Sequence, residues 1–310
     1  MPPYSSSCLV LLLAVSSLVS PSSGLIASEP VSALLKTHAD GISKLKSICA
    51  EQLGPAALES EPYSNDVFFL RYCLSSPEES EQTDRLQTNL AWRSSSAGQS
   101  ICQAATTALA QATQQGGWDN APVINAAPHS DLITKYITPS NVVTTTSNQQ
   151  DLVYCIRAGQ IDDVALMDAV SIPQMVDFFL YAKEINAQVA NQRSLQSDKL
   201  VCVVTANDLA GVKLVGGSAD FRKALGESSK QANDLYPATN GPTLLLNLPK
   251  LLSALVKLFT PLFSPEVKAR LKFEQGPLKD VDDLQQVAST ASGAARSTFV
   301  KQLDDIVYSG

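Results

Sequence analysis

The sequence predicts an α/β fold: a mixed, mostly parallel sheet with crossover helices, preceded by a small all-helical module. Short apolar segments near 152–157, 200–206, 243–248 and 269–273 alternate with longer segments of helical periodicity. Such alternation favours parallel strands that are joined by helices. Before residue 115, in contrast, apolar residues recur at helical intervals, which is typical of a helical module.

The helical module is predicted to span residues 30–115. Ile42 and Leu45 recur at helical spacing, and Gly54-Pro55 interrupts that pattern. A later helix of the same module ends in Ala91-Trp92-Arg93. We therefore expect several short helices here rather than one long one.

Residues 114–128, which contain paired glycines and two prolines, are a predicted boundary to an α/β lobe over residues 120–276. In this lobe Val142–Thr146 is an expected edge strand. The segment Leu200–Ala206 is too apolar to leave one face exposed, as in sheets that are covered on both sides. Residues 277–310 have apolar residues at helical spacing and are predicted to form a terminal helical pair packing on the outside.

The stretch 236–273 combines a turn, a strand and an apolar helix. It opens with Tyr236-Pro237 and continues into a predicted buried strand, Thr243–Leu248. Pro249 ends the strand and suits the first turn of a helix, where its missing N–H costs no hydrogen bond. The apolar residues at helical spacing are Leu251, Leu252, Leu255, Leu258, Phe259 and Leu262.

The order of these elements resembles the lipid-binding domain of the CRAL-TRIO family, which includes phosphatidylinositol/phosphatidylcholine transfer proteins and carriers of tocopherol and retinaldehyde. The resembling motifs are the strand end Asn247-Leu248-Pro249, the stop Phe259–Phe263, the turn Asp208–Gly211 and the helix ending in Trp92-Arg93. In that family the apolar helix is the gate over a lipid pocket, so the resemblance implies that Pro249–Phe263 is the gate. A fixed core helix beside the sheet is the alternative for this segment.

The resemblance also implies a function. The chain would be a non-enzymatic protein that binds a phospholipid or an isoprenoid-type lipid in a gated pocket and transfers or presents it. The alternative is a protein-interaction or scaffolding module that keeps the fold and has a vestigial pocket, because two headgroup positions depart from the family pattern.

Those headgroup positions lie on the strands. Val203 and Thr205 occupy the places at which phospholipid carriers of the family have hydroxyl side chains for the choline-phosphate group, and only Thr205 keeps the hydroxyl. The phosphoinositide pattern has an acid directly after Tyr-Pro, where this chain has Ala238, and a basic residue early in the next strand, where it has Arg270. Arg270 is therefore a headgroup candidate, because arginine can bind phosphate in bidentate fashion. The alternatives are an ordinary buried threonine for Thr205 and a solvated strand residue for Arg270.

A local basic surface accompanies the predicted gate. Its lysines are Lys250, Lys257, Lys268 and Lys272. Between residues 250 and 273 the only acid is Glu266, although the whole chain has a net charge of −7. Each basic residue near an anionic bilayer contributes ~1 kcal/mol of attraction. The expected partners are therefore a hydrophobic small molecule or phospholipid and, transiently, an anionic membrane surface. The acidic chain as a whole argues against nucleic-acid binding.

The sequence contains no pattern of a catalytic, cofactor or metal site. Its two histidines, His38 and His129, are predicted surface residues. Gly216-Gly217-Ser218 lacks the closing glycine of a nucleophile elbow, so Ser218 is predicted to be a helix N-cap. No phosphate-binding loop, dinucleotide fingerprint or metal-ligand spacing is present in the sequence. We therefore predict no enzymatic activity, no cofactor and no metal.

Residues 1–24 are predicted to be a leader, with an apolar run at Cys8–Leu18 and small residues, Ser22 and Gly24, before the cleavage point. The expected route is the secretory pathway, leading to secretion or, in an alga with complex plastids, to the plastid. Without a functional leader the protein would be cytoplasmic.

Five cysteines follow the leader. Cys155 and Cys202 lie in predicted strands and are expected to be buried, inert thiols. Two of the residues Cys49, Cys73 and Cys102 can form one disulfide if the protein enters an oxidising compartment.

Overall fold

In the computed structural model of the chain, the described residues are 29–113, 119–212, 216–250, 270–288 and 293–308. The predicted leader, the gate helix after Lys250 and the lysines Lys257 and Lys268 lie outside these residues.

The N-terminal module is helical, as the sequence predicts. Its helices are α1 Val31–Thr37, α2 Ala39–Leu53, α3 Asp66–Cys73, α4 Glu79–Ser94 and α5 Ser96–Ala112. Helix α3 is its centre, because every residue from Val67 to Cys73 is buried. The side chain of Asn65 caps this helix by accepting a hydrogen bond from the backbone N–H of Val67.

The second part of the chain is built on a five-stranded sheet. Its strands are β1 Val142–Thr146, β2 Leu152–Arg157, β3 Val203–Asp208, β4 Asn240–Leu246 and β5 Leu271–Glu274. They lie in the order β1-β2-β3-β4-β5, with β1 antiparallel to β2 and the remaining neighbours parallel. The predicted mixed, mostly parallel sheet with an edge strand at its start is therefore confirmed.

Helices surround this sheet. They are α6 Asn120–Asn125, α7 Ser130–Ile133, α8 Asp163–Ala169, α9 Ile172–Ser197, α10 Ala219–Leu235, α11 Gln285–Ala288 and α12 Gly293–Tyr308. Helix α9 starts with Pro in its first turn and with a capping box, in which Gln174 Oε1 accepts from the backbone N–H of Ser171 at 2.8 Å. Helix α10 starts at Ser218, whose hydroxyl accepts from the backbone N–H of Phe221 at 3.2 Å. Ser218 is therefore the N-cap that the sequence predicts.

Three strands, β3, β4 and β5, begin or end one to three residues away from the predicted bounds. Strand β3 continues to Asp208 because the buried, polar Asn207 and Asp208 extend it, and an apolar pattern does not detect such residues. Strand β4 begins at Asn240 and not after the Gly-Pro pair. A register shift in the β3–β4 pairing accommodates Pro242, since a bulge tolerates a residue without an N–H. Gly241 is needed there, because a Cβ at this position would lie 2.5 Å from the Cys202 sulfur.

The sheet is covered on both sides. Face A carries Leu152, Tyr154, Val203 and Thr205 and packs against α9 and α10. Face B carries alternate residues such as Val204 and packs against α11 and α12. The terminal helices, which the sequence predicts to pack on the outside, lie on this face of the sheet. They cover face B, because the apolar side chains of that face need a second layer.

Candidate functional site

A row of hydroxyl side chains crosses face A. The pairing registers place Thr144 of β1 beside Tyr154 of β2, Tyr154 beside Thr205 of β3, and Thr205 beside Thr243 of β4. Neighbouring strands are about 4.8 Å apart, so the four residues form one continuous polar strip across the sheet. We call these four residues the hydroxyl row.

The two central members of the hydroxyl row keep partial exposure. Tyr154 and Thr205 are only half-buried, although helices cover this face and the flanking Leu152 and Val203 are buried in its core. Within the described part of the chain, neither hydroxyl makes a hydrogen bond. Burial raises the pKa of Tyr154 to about 12, so its phenol is neutral at physiological pH and can donate a hydrogen bond.

The helices opposite the hydroxyl row contribute aromatic side chains. Phe179 of α9 and Phe221 of α10 contact each other edge to face, with 5.8 Å between ring centroids. Both rings are half-buried, like Tyr154 and Thr205. Aromatic rings together with a few hydroxyls are typical of the lining of a site for a lipophilic molecule that has one polar end.

A buried polar network fixes the end of β4, directly before the predicted gate. Asn247 Nδ2 donates to Asp208 Oδ1 at 3.1 Å and to the Pro277 carbonyl at 2.7 Å, and Asn247 Oδ1 accepts from Gly276 N at 2.9 Å. Arg157 Nε lies 3.3 Å from Asp208 Oδ2 in a buried ion pair. Asn247, the first residue of the Asn-Leu-Pro motif, therefore holds the backbone on both sides of the gate segment. Its φ of 52° lies in the left-handed region that asparagine tolerates.

The turn after Tyr236-Pro237 is anchored to the N-terminal module. Arg71 Nη1 donates to the Ala238 carbonyl, and Arg71 Nε donates to Asn191 Oδ1 at 2.6 Å. The cleft between Arg71 and Tyr236 has a volume of about 20 Å³. That volume holds about one water molecule, so a phosphorylated headgroup does not fit beside Ala238 in this structure.

The structure places the described members of the sequence-predicted site as follows. Val203 is buried in the core of face A, and Thr205 belongs to the hydroxyl row. Arg270 directly precedes β5 and is 6% exposed, so the alternative of a solvated strand residue is wrong. Lys250 is exposed after β4, whereas Lys272 is half-buried and pairs with Leu244, a residue of face B. The two lysines therefore differ in exposure: Lys250 follows β4, whereas Lys272 belongs to the edge strand β5.

The residues that were considered for chemistry lie apart from the hydroxyl row. His129 Nε2 is 4.0 Å from Asp177 Oδ2 near the start of α9, and His38 lies between α1 and α2. All five described cysteines are free thiols, and burial raises the pKa of Cys49 and Cys73 to about 11 and that of Cys102 to about 12. Among the described residues, no three His, Cys, Asp or Glu side chains group as metal ligands.

Within the ranges that the structure describes, no single helix has the length and hydropathy of a membrane span. Helices α8 and α9, bent by 111° at their break, meet both criteria only as a pair.

Sequence reasoning missed Tyr154, Thr144, Thr243 and Asn247 as parts of the site. Each has an ordinary local context for its strand or turn. Only the register between strands shows that three of them extend Thr205 into a row. The signal that was available is the hydroxyl residue that each of these predicted strands contains, and it could be interpreted only once the strand order was known.

The family comparison agrees with this geometry. Residues 140–291 match the family model of the CRAL/TRIO domain. A search of curated proteins found no match. The matched residues include all five strands and helices α8 to α11, so they include the sheet with its hydroxyl row. The chain therefore contains a CRAL/TRIO domain at residues 140–291, and domains of this kind are known to bind lipophilic ligands.

Proposed function

We propose that this protein is a non-enzymatic carrier that binds one lipophilic molecule between face A of the sheet and helices α9 and α10. The observation that carries the proposal is the half-exposure of Tyr154 and Thr205 in the middle of a covered sheet face. Well-packed interiors leave few voids, so accessible side chains at such positions indicate a space that a ligand occupies. The hydroxyl row would meet the polar end of the ligand, and the aromatic rings of α9 and α10 its apolar part.

Access to this space is proposed to involve the segment after Lys250. The network around Asn247 holds the start of that segment, and Arg270 marks its end against the sheet. An apolar stripe such as Leu251–Leu262 must be buried against something, because exposure would make it an aggregation site. A gate that opens at an anionic membrane, where Lys250 lies exposed beside it, would let a ligand enter and leave.

The function can be tested on protein purified from its own source. Native mass spectrometry is expected to show one bound lipophilic molecule per chain, which organic extraction then identifies. A bare polypeptide mass together with a co-purified protein partner would instead favour the interaction module with a vestigial pocket.

A pair of matched variants locates the ligand. Thr205→Phe should fill the space beside the hydroxyl row and reduce the bound fraction several-fold. Leu195→Phe is the control, because Leu195 of α9 is 51% exposed and lies outside the proposed space. Equal loading of both variants would argue against this location.

A further inference from the structure

One basic side chain of α9 faces the interior. Lys183 lies three helical turns before Ser194 and is therefore on the same side of the helix. That side faces the sheet, because Ser194 Oγ accepts from Val201 N at 2.9 Å and the adjacent Arg193 donates to Thr146 Oγ1 at 2.6 Å. Ala190, two turns after Lys183, is fully buried.

The preceding turn of α9 indicates that Lys183 lies beside the proposed ligand space. Phe179, one turn earlier on the same side, contacts Phe221 of α10. Helical spacing thus places Lys183 on the side of α9 that faces α10 and face A. Like Phe179, Tyr154 and Thr205, it is half-buried, so it shares the partial exposure that marks this space.

The ammonium group of Lys183 lacks a partner in the described part of the chain. Its neighbours on α9 are paired: Glu184 accepts from Arg93, and Arg193 binds Thr146. Lys183 makes neither a hydrogen bond nor an ion pair there, and burial lowers its pKa to about 8. An ammonium group that is buried without a partner destabilises the fold. A lysine at such a position therefore indicates a bound molecule that pairs with it.

We propose that Lys183 is the cationic contact of the bound ligand, and that the ligand is an amphiphile with an anionic oxygen headgroup. This inference rests on the proposed carrier function and narrows its ligand class. An ammonium group and the neutral hydroxyls of Tyr154 and Thr205 are all donors, and together they suit the oxygens of a carboxylate or a phosphate monoester. A neutral ligand would leave the lysine unpaired.

The test compares ligands that share one chain and differ in headgroup. Delipidated full-length protein is titrated with oleic acid, oleyl phosphate and methyl oleate, and binding is measured by calorimetry. We expect the wild-type protein to bind at least one of the two anions about tenfold more tightly than the ester. The stronger of the two anions then identifies the headgroup as carboxylate or phosphate.

Two variants isolate the lysine. Lys183→Met keeps the length of the side chain without its charge and should remove the preference for the anion over the ester. Lys223→Met is the control, since the side chain of Lys223 on α10 is 63% exposed, and it should keep the preference.

A second measurement does not depend on a variant. Reductive methylation with ¹³C-formaldehyde, which labels lysine amines, lets NMR follow the Lys183 amine in a protein of unchanged sequence. Binding of the anion should raise the pKa of this amine, because a nearby negative charge favours its charged form. Methyl oleate should not raise it.

The outcomes separate the two proposals. Binding of the ester and the anions with equal affinity, an anion preference that survives Lys183→Met, or an unchanged Lys183 pKa would each contradict the anionic ligand and leave the carrier function standing. Failure of all three amphiphiles to bind the wild-type protein would contradict the carrier function itself.

Discussion

Arg93 of α4 and Glu184 of α9 form a bidentate ion pair, in which Arg93 Nη2 donates to the two carboxylate oxygens at 2.7 and 2.9 Å. The side chain of Arg93 is 9% exposed and that of Glu184 is fully buried. Gln188 Nε2 also donates to Glu184 Oε1 at 2.6 Å. This pair fastens the N-terminal module to the helix that carries Lys183, so the module fixes one wall of the proposed ligand space.

Arg93→Met is expected to destabilise the protein by about 3–5 kcal/mol, because it leaves the Glu184 carboxylate buried without its partner. Urea unfolding measures this change. The double variant Arg93→Met/Glu184→Leu should recover most of the loss, since replacing both charges by apolar side chains removes the unpaired carboxylate. As a control, Lys44→Met breaks an exposed pair with Glu79 and should cost under about 1 kcal/mol. Equal losses in the two single variants would contradict this account.

Asn247→Ala should destabilise the protein by about 2–3 kcal/mol, since it leaves three hydrogen-bond partners of the side chain unsatisfied. Asn247→Gly separates the contribution of the side-chain hydrogen bonds to stability from that of the backbone conformation, because glycine tolerates the φ of 52° without strain. If Asn247→Gly is as stable as the wild-type protein, the backbone conformation and not the side-chain network determines the stability at this position.

The same two variants should also release and take up a bound lipid faster than the wild-type protein, and a vesicle-transfer assay measures this rate.

Lys183→Met should stabilise the ligand-free protein at neutral pH by roughly 2–3 kcal/mol, because burial lowers the pKa of this lysine from 10.5 to about 8. Below pH 8 both folded and unfolded states carry the proton, and the folded state bears the cost of the buried charge. Between about pH 8 and 10.5 the folded lysine is neutral while the unfolded one still binds a proton, so the wild-type protein gains stability with rising pH.

The stability advantage of Lys183→Met over the wild-type protein should therefore decrease between pH 8 and 10.5. Urea unfolding of both proteins at pH 7 and pH 10 measures this difference. Tyr154, the titratable member of the hydroxyl row, stays neutral over the same range, because burial raises its pKa to about 12. A stability difference that is independent of pH would show that the lysine is already solvated.

Ser218→Ala should cost about 1 kcal/mol of stability through loss of the cap of α10 and should leave any esterase background unchanged. Ser218→Asp is the conservative comparison, because aspartate caps helices equally well and cannot act as an acyl-transfer serine. Hydrolysis of a short-chain ester by the wild-type protein that disappears in both variants would overturn the non-enzymatic interpretation.

Lys250→Glu together with Lys257→Glu should weaken binding to anionic vesicles by about 4 kcal/mol at most, since two attractive charges become two repulsive ones at ~1 kcal/mol each. Co-sedimentation with vesicles containing phosphatidylserine measures this, and added salt should reduce the difference. Lys36→Glu with Lys230→Glu makes the same change of net charge at exposed residues outside the gate segment. If this control weakens vesicle binding equally, the net charge of the protein and not the position of Lys250 and Lys257 causes the attraction to the vesicles.

Leu255→Trp tests the proposed gate directly. The larger side chain is expected to fill the space under the gate and to prevent lipid loading while the unfolding temperature changes little. Loading is measured by native mass spectrometry after exposure to lipid vesicles. Normal loading of a folded Leu255→Trp protein would show that this helix does not line the ligand space.

The sequence by itself determined the local elements and the family. Apolar segments of two different periods indicated strands alternating with helices, and the Tyr-Pro turn, the Asp-Leu-Ala-Gly turn and the Asn-Leu-Pro motif indicated a CRAL/TRIO domain, which the family model confirms. The cap at Ser218 was equally predictable. These features depend on residues within a few positions of one another, where helix and strand geometry fixes which side chains can interact.

Only the tertiary structure decided the composition of the site. Tyr154 and Thr205 become neighbours through the register of two parallel strands, and Arg93 meets Glu184 across 91 residues of chain. Lys183 stands directly before Glu184 in the sequence, so the two resemble a solvated pair on an exposed helix face. In the structure they point about 100° apart on α9, one toward the sheet and one toward the N-terminal module, because successive helical residues are rotated by that angle. Whether a side of α9 is buried depends on the elements that pack against it. Those elements come from chain segments that are distant in sequence.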